Sequence, residues 1–193
     1  MRFKSKSLQL KVDSVYTLLI RQRSLRGLRR KTIKLDGLVC SPGGVATSAI
    51  MAHLEHYVDI NCPSDSDGFK HLPNASKIPD SLKVLFLTGD PEAALASLQR
   101  RGYDLPHVLK LGGLKAFFLT FFPKKWEAAL RELILKQTLE FGQLPIHRCL
   151  VISYDELWDR KVEIASFFGL SGTDFVSTFP TKRERHGKPD GAN

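Results

Sequence analysis

The chain has 193 residues, 42% hydrophobic and 25% charged, which fits one ordinary globular domain with a real core. No apolar run approaches the roughly 20 residues needed to span a bilayer. The net charge of +9 is concentrated at one end: residues 1–34 carry 11 Lys and Arg against one acid, Asp13, leaving 18 Lys and Arg against 19 acids elsewhere.

The basic head ends in RQRSLRGLRRKTIK. Its short apolar run, Val15 to Ile20, is followed by arginines and does not make a signal peptide, so a cytoplasmic location is the default expectation. Three readings of the head stay open. It is a solvated helix and linker, an Arg-rich and acid-poor transit peptide, or a segment drawn to an anionic membrane surface or nucleic acid. No nucleic-acid motif or interleaved aromatic pattern supports the last partner. Three cysteines, Cys40, Cys62 and Cys149, without CxxC spacing read as reduced structural thiols, and no metal site is expected.

In chain order, apolar residues at helical spacing predict one or two helices over 12–30. GLVCS (37–41) reads as a buried strand that turns at Pro42-Gly43-Gly44. A helix is expected over 47–57, with Ile50, Met51, Leu54 and Tyr57 on one face. Residues 58–61 are expected to form a second strand, followed by a polar loop. KVLFLT (83–88) is a continuous apolar run, as in a parallel strand buried on both faces. Pro91 opens the next helix, which stops near Gly102. Helices are expected over 105–111 and 124–141. RCLVIS (148–153) is a further strand, and a helix is expected over 154–168, ending at Gly169.

Alternating strands and helices predict an α/β fold, a three-layer sandwich around a mostly parallel sheet. The expected organisation is a basic helical segment over 1–34, an α/β domain over 35–179 and a basic tail over 180–193. Ligands on such sheets bind at the carboxyl ends of the strands. The loop after the first strand offers Gly43 and Gly44 for close backbone approach, and Thr47 and Ser48 where helix N–H groups are free. It is not a Walker A loop, because the lysine is missing. The next loop sets Lys70 beside His71, a cation beside a titratable base. The third places Ser97 on a helix that ends at Arg100 and Arg101.

These pieces resemble the sulfotransferases that use 3′-phosphoadenosine-5′-phosphosulfate (PAPS). SPGGVATSAI is similar to the family's 5′-phosphosulfate loop, FKHLP to its Lys-x-His-Leu-Pro, and KVLFLTGDPEAALASL to its 3′-phosphate strand and helix. CLVISYDELWDRKVEIASFFGL resembles the family's ending, so the likeness runs from about Gly37 to Leu170. It implies a P-loop-like nucleotide-binding fold and transfer of a sulfuryl group from PAPS to a hydroxyl acceptor, a carbohydrate or another small molecule. It implies no metal. By the same resemblance His71 is the general base and Lys70 the cation at the bridging oxygen. Ser41, Gly43, Gly44, Val45, Ala46, Thr47 and Ser48 hold the 5′ end. Ser97, Arg100 and Arg101 hold the 3′-phosphate, with Arg183 and Arg185 offering further charge.

The departures are specific. The family's loop cation falls on Gly44, its following Gly on Ala46, and its Arg before Asn/Asp-Pro on Gly89. Lys-x-His is shortened to Lys70-His71. Two alternatives therefore accompany the sulfotransferase expectation: a non-catalytic binding protein of the same fold with an eroded cofactor site, and a P-loop nucleotide-dependent kinase. The kinase reading lacks both the Walker lysine and a clear acid for Mg²⁺.

Overall fold

The computed structural model describes residues 3–113, 115–116, 122 and 125–182. Among them the elements run α1 (Phe3–Arg29), β1 (Gly37–Cys40), α2 (Thr47–Leu54), β2 (Lys83–Thr88), α3 (Pro91–Arg100), α4 (Asp104–Gly112), α5 (Trp126–Gly142), β3 (Cys149–Ser153) and α6 (Lys161–Phe168). The three strands form one parallel sheet in the order β1-β2-β3. Gly37 stands opposite Lys83 and Cys40 opposite Phe86, while Val84 stands opposite Cys149 and Thr88 opposite Ser153.

The strands are apolar on both faces because helices cover both. Val39, Leu85, Leu87, Leu150 and Ile152 point to one side, against Ile50, Met51 and Leu54 of α2 and Ile164 and Ala165 of α6. Leu38, Cys40, Val84, Phe86 and Cys149 point to the other, against Leu25 and Leu28 of α1 and Phe141 of α5. Phe86 and Phe141 stack with ring centroids 4.5 Å apart. A third cluster joins α3, α4 and α5 through Leu95, Leu98, Val108, Leu130 and Ile134. The basic head is thus joined to the body, since the inner face of α1 is part of its core.

Several elements differ from expectation. Residues 58–61 do not form a strand: only Ile60 bridges, in parallel, to Gly37. The Asn61 side chain replaces the ladder there. Its Oδ1 accepts from Val39 N at 2.6 Å and its Nδ2 donates to the Val39 carbonyl at 3.1 Å. This bridge still sets β1 between a neighbour on one side and β2 on the other. The chain therefore changes direction at β1, where parallel sheets open a crevice for ligands. Helix α2 stops at Leu54, where turns bonded to Met51, His53 and Leu54 carbonyls take over. Residues 154–160 are turns, and the helix starts only at Lys161. The Ser153 hydroxyl and amide both bond the Glu156 carboxylate, closing a local turn that competes with helix. The end at Gly169 is as expected, with φ 76°. No helix among the described residues is long and apolar enough to cross a membrane.

Candidate functional site

A cleft of about 820 Å³ opens at the carboxyl end of β1. Residues 43–50 form one wall, and Lys70, His71, Ser97, Arg101, His107 and Lys110 converge on it from other elements.

The loop between β1 and α2 is shaped by left-handed backbone: Gly43 has φ 101°, Gly44 78° and Ala46 56°. Ser41 is buried beneath it rather than in the cleft, a correction to its expected place against a ligand. Its Oγ accepts from the Thr47 hydroxyl at 2.7 Å and from Gly43 N at 3.2 Å, tying the loop's two ends together. The Thr47 hydroxyl proton is therefore engaged inside the loop. Ala46 caps α2 without a side-chain hydrogen bond. Ala49 N donates to the Ala46 carbonyl at 3.0 Å, which leaves the Thr47 and Ser48 N–H groups without a backbone acceptor among the described residues, at the cleft and with the positive end of the helix dipole.

Gly44 explains one departure from the sulfotransferase pattern. A Cβ there would lie 3.0 Å from both the Cα and the carbonyl oxygen of Ala94 in α3. With a left-handed φ as well, a Lys or Arg there would be strained and would push on the backbone of α3. Gly89 is tight but less constrained: a Cβ would lie 3.0 Å from Val45 Cγ1, a side-chain methyl, and 3.4 Å from Tyr154 Cβ.

The cation arrives from another loop. Lys70 Nζ donates to Ser48 Oγ at 2.6 Å and to the Pro63 carbonyl at 2.8 Å, so its charge sits at the start of α2. Burial lowers its pKa from the usual lysine range, and nearby Asp65 opposes that shift. Next to it, His71 is 7% exposed. Its Nδ1 lies 2.8 Å from the Ser41 carbonyl, which can only accept, so Nδ1 carries the proton and Nε2 is the free base. Burial first, then Lys110, push its pKa down to about 3, so the ring is neutral at pH 7.

Asp65 organises this pair. Held at φ 61° and buried, its carboxylate accepts from Lys70 N at 3.0 Å and from Lys110 Nζ at 2.6 Å. Arg21 of α1 completes the arrangement, with Nη1 donating to the Lys110 carbonyl at 2.9 Å and, at 3.4 Å, to that of His71. His107 of α4 stacks edge-on against His71, ring centroids 4.5 Å apart. Its Nδ1 donates to the Tyr103 carbonyl at 2.8 Å, leaving Nε2 facing Gly43. Burial also holds its pKa well below the usual histidine value. No local sequence pattern points to Asp65, Lys110, His107 and Arg21, because they reach the site from three separate segments: Arg21 from α1, Asp65 from the loop after Asn61, and His107 and Lys110 from α4.

The far side is less complete. Ser97 and Arg101 line the cleft, and Arg101 Nε donates to the Ser97 carbonyl at 3.0 Å. Arg100 is exposed and does not line it, so of the two expected arginines only Arg101 reaches the cleft. Tyr154, Trp158, Pro180 and Thr181 close the mouth. The Trp158 indole donates to the Pro180 carbonyl at 2.8 Å, and Lys182 Nζ lies 5.4 Å from the Trp158 ring centroid. Arg183 and Arg185 lie outside the described residues.

The three thiols are free. Cys40 and Cys149 are held in the core with raised pKa, chiefly by burial, and Cys62 is lowered by the hydroxyls of Ser64 and Ser66. No family model matches the chain, and neither a curated protein nor a solved structure does.

Proposed function

We propose that this cleft binds the 5′ end of PAPS, on a P-loop-like three-layer α/β scaffold, and that the chain transfers a sulfuryl group to a hydroxyl acceptor. The observation that carries the reading is Lys70 Nζ on Ser48 Oγ at 2.6 Å: a cation at a helix start whose own loop carries none and where any that replaced Gly44 would be strained. PAPS, when bound, supplies a sulfuryl group carried on a phosphate leaving group. Lys70 and the first-turn N–H groups of α2 stabilise negative charge on that phosphate. His71 takes the proton that the acceptor hydroxyl loses, through its unprotonated Nε2. Lys110, Lys70 and Arg101 all depress the proton affinity of His71 in the free chain, after burial. An anion among those cations cancels part of that field and makes His71 a stronger base once the site is filled. A carbohydrate hydroxyl is the acceptor class that goes with this reading, by the analogy of the resemblance alone.

One observation favours the second reading, a binding protein that no longer transfers. Among the described residues Arg101 is the one arginine lining the cleft, and the position of the family's other one is Gly89, which carries no charge.

Calorimetry with adenosine 3′,5′-bisphosphate tests both. The wild type is expected to bind, and Lys70→Met to bind roughly 10- to 150-fold more weakly, the worth of one charge-assisted hydrogen bond. His71→Ala should bind like the wild type and lose sulfuryl transfer. Failure of the wild type to bind at millimolar concentration overturns the proposal. Binding without transfer to any hydroxyl acceptor leaves the second reading.

A further inference from the structure

From Val12 onward, the exposed face of α1 is apolar first and then basic. Val12, Tyr16 and Leu19 recur at spacings of four and three and are 54%, 63% and 64% exposed. The same row continues through Arg23 and Arg26, also exposed, and the exposed Arg30 and Lys31 follow the helix end. The opposite face, with Leu18, Arg21, Leu25 and Leu28, is buried against the body. Three large apolar side chains on one exposed helical row need a covering surface, and the arginines beside them say what charge it carries.

We propose that this face lies flat on an anionic phospholipid bilayer. Val12, Tyr16 and Leu19 enter the boundary between headgroups and acyl chains, while Arg23 and Arg26 meet lipid phosphates. The charge pattern disfavours the other occupants. Nucleic acid satisfies the arginines and leaves the apolar half uncovered. Two copies paired in parallel set arginine against arginine, and paired antiparallel they set the apolar half against the basic half. Asp13 is the one acid in this stretch, and it lies at the apolar end, away from the arginines. The surface faces away from the cleft, so the proposal stands apart from the sulfuryl-transfer reading.

The test is co-sedimentation of the full chain with vesicles of phosphatidylcholine, with and without phosphatidylserine. Binding is expected only with phosphatidylserine, weakening as salt rises. Leu19→Glu should abolish it, and Arg23→Gln with Arg26→Gln should weaken it roughly fivefold per arginine. All of these side chains are exposed, so melting temperatures and bisphosphate binding should stay unchanged and serve as controls. No sedimentation, equal sedimentation with neutral vesicles, or full binding by Leu19→Glu overturns the proposal. So does a dimer in light scattering that Leu19→Glu dissolves, or binding to duplex RNA but not to vesicles. Protection of residues 12–19 from hydrogen exchange in a monomer that ignores vesicles overturns it too, by showing that the chain covers this face itself.

Discussion

Two junctions in this sheet begin alike and end differently. After β1 and after β2 the chain leaves a buried parallel strand and enters a helix on the cleft side. After β2 the turn is short and the helix start is satisfied from within. Asp90 accepts from Ala93 N at 2.8 Å, and Pro91 occupies the first turn, where its missing N–H costs nothing. After β1 the turn is longer and left-handed at three positions, and α2 has no side-chain cap. Lys70 is brought from another segment to stand beside it. One junction meets a first-turn donor with its own carboxylate. The other bonds Ala49 N to the Ala46 carbonyl and leaves the Thr47 and Ser48 N–H groups without a side-chain cap, the kind of helix start that suits an anion.

Acid should separate the two junctions most strongly. His71 and His107 both pack on the first, through the Ser41 carbonyl and Gly43. Their folded pKa values lie below the ordinary histidine value of 6.5, at about 3 for His71 and well below 6.5 for His107, with burial the leading cause in each. The unfolded chain therefore binds protons that the native state refuses. Stability is fully present above pH 6.5 and falls as pH drops toward the folded values, by about 1.4 kcal/mol per pH unit for each histidine. Urea titrations between pH 6.5 and 4.5 should show this slope, and His107→Gln should remove about half of it. Hydrogen exchange should rise around residues 41–47 before it rises around 89–93. An equal response at both junctions would refute the contrast.

Putting the missing cation back should harm the first junction rather than improve it. Gly44→Lys places a Cβ 3.0 Å from the backbone of α3 at a φ of 78°. Neither helix backbone nor dihedral yields cheaply, and a loss of about 2–4 kcal/mol in chemical denaturation is expected. Tighter bisphosphate binding without loss of stability would show that α3 can move and that Lys70 has not replaced the loop cation.

The strands were legible because each is a short apolar run buried on both faces, and KVLFLT and CLVIS fall where the patterning puts them. Lys70, His71 and the glycine loop were legible as a local order of residue types. The rest of the site was not. Lys110 meets Asp65 across 45 residues and Arg21 reaches the His71 carbonyl across 50, and such pairings leave no periodic mark. Residues 58–61 read as a strand because apolar Val58 and Ile60 alternate with polar Asp59 and Asn61. A side-chain amide, that of Asn61, does the pairing instead, which hydrophobic pattern cannot reveal. Residues 154–160 carry Leu157 at helical spacing, yet the Ser153–Glu156 bonds close the backbone into turns first.

The smallest effect is the most direct probe of the two helix starts, because its sign should differ between them. Ala46 holds a left-handed φ of 56° at the start of α2, where the β-carbon costs about 1–2 kcal/mol. Ala46→Gly removes that cost and adds about 0.4–1 kcal/mol of unfolded-chain entropy, for a net gain of up to about 1.6 kcal/mol. Asp90→Ala removes a working cap at the start of α3 and should cost about 1 kcal/mol. Thermal denaturation of the two single variants measures both. Opposite signs mean that the β1 junction is held in a strained conformation that its own sequence does not favour, as expected of a backbone shaped around a ligand. A loss in both variants would make the left-handed turn an ordinary packing solution, with α2 needing no anion at its start.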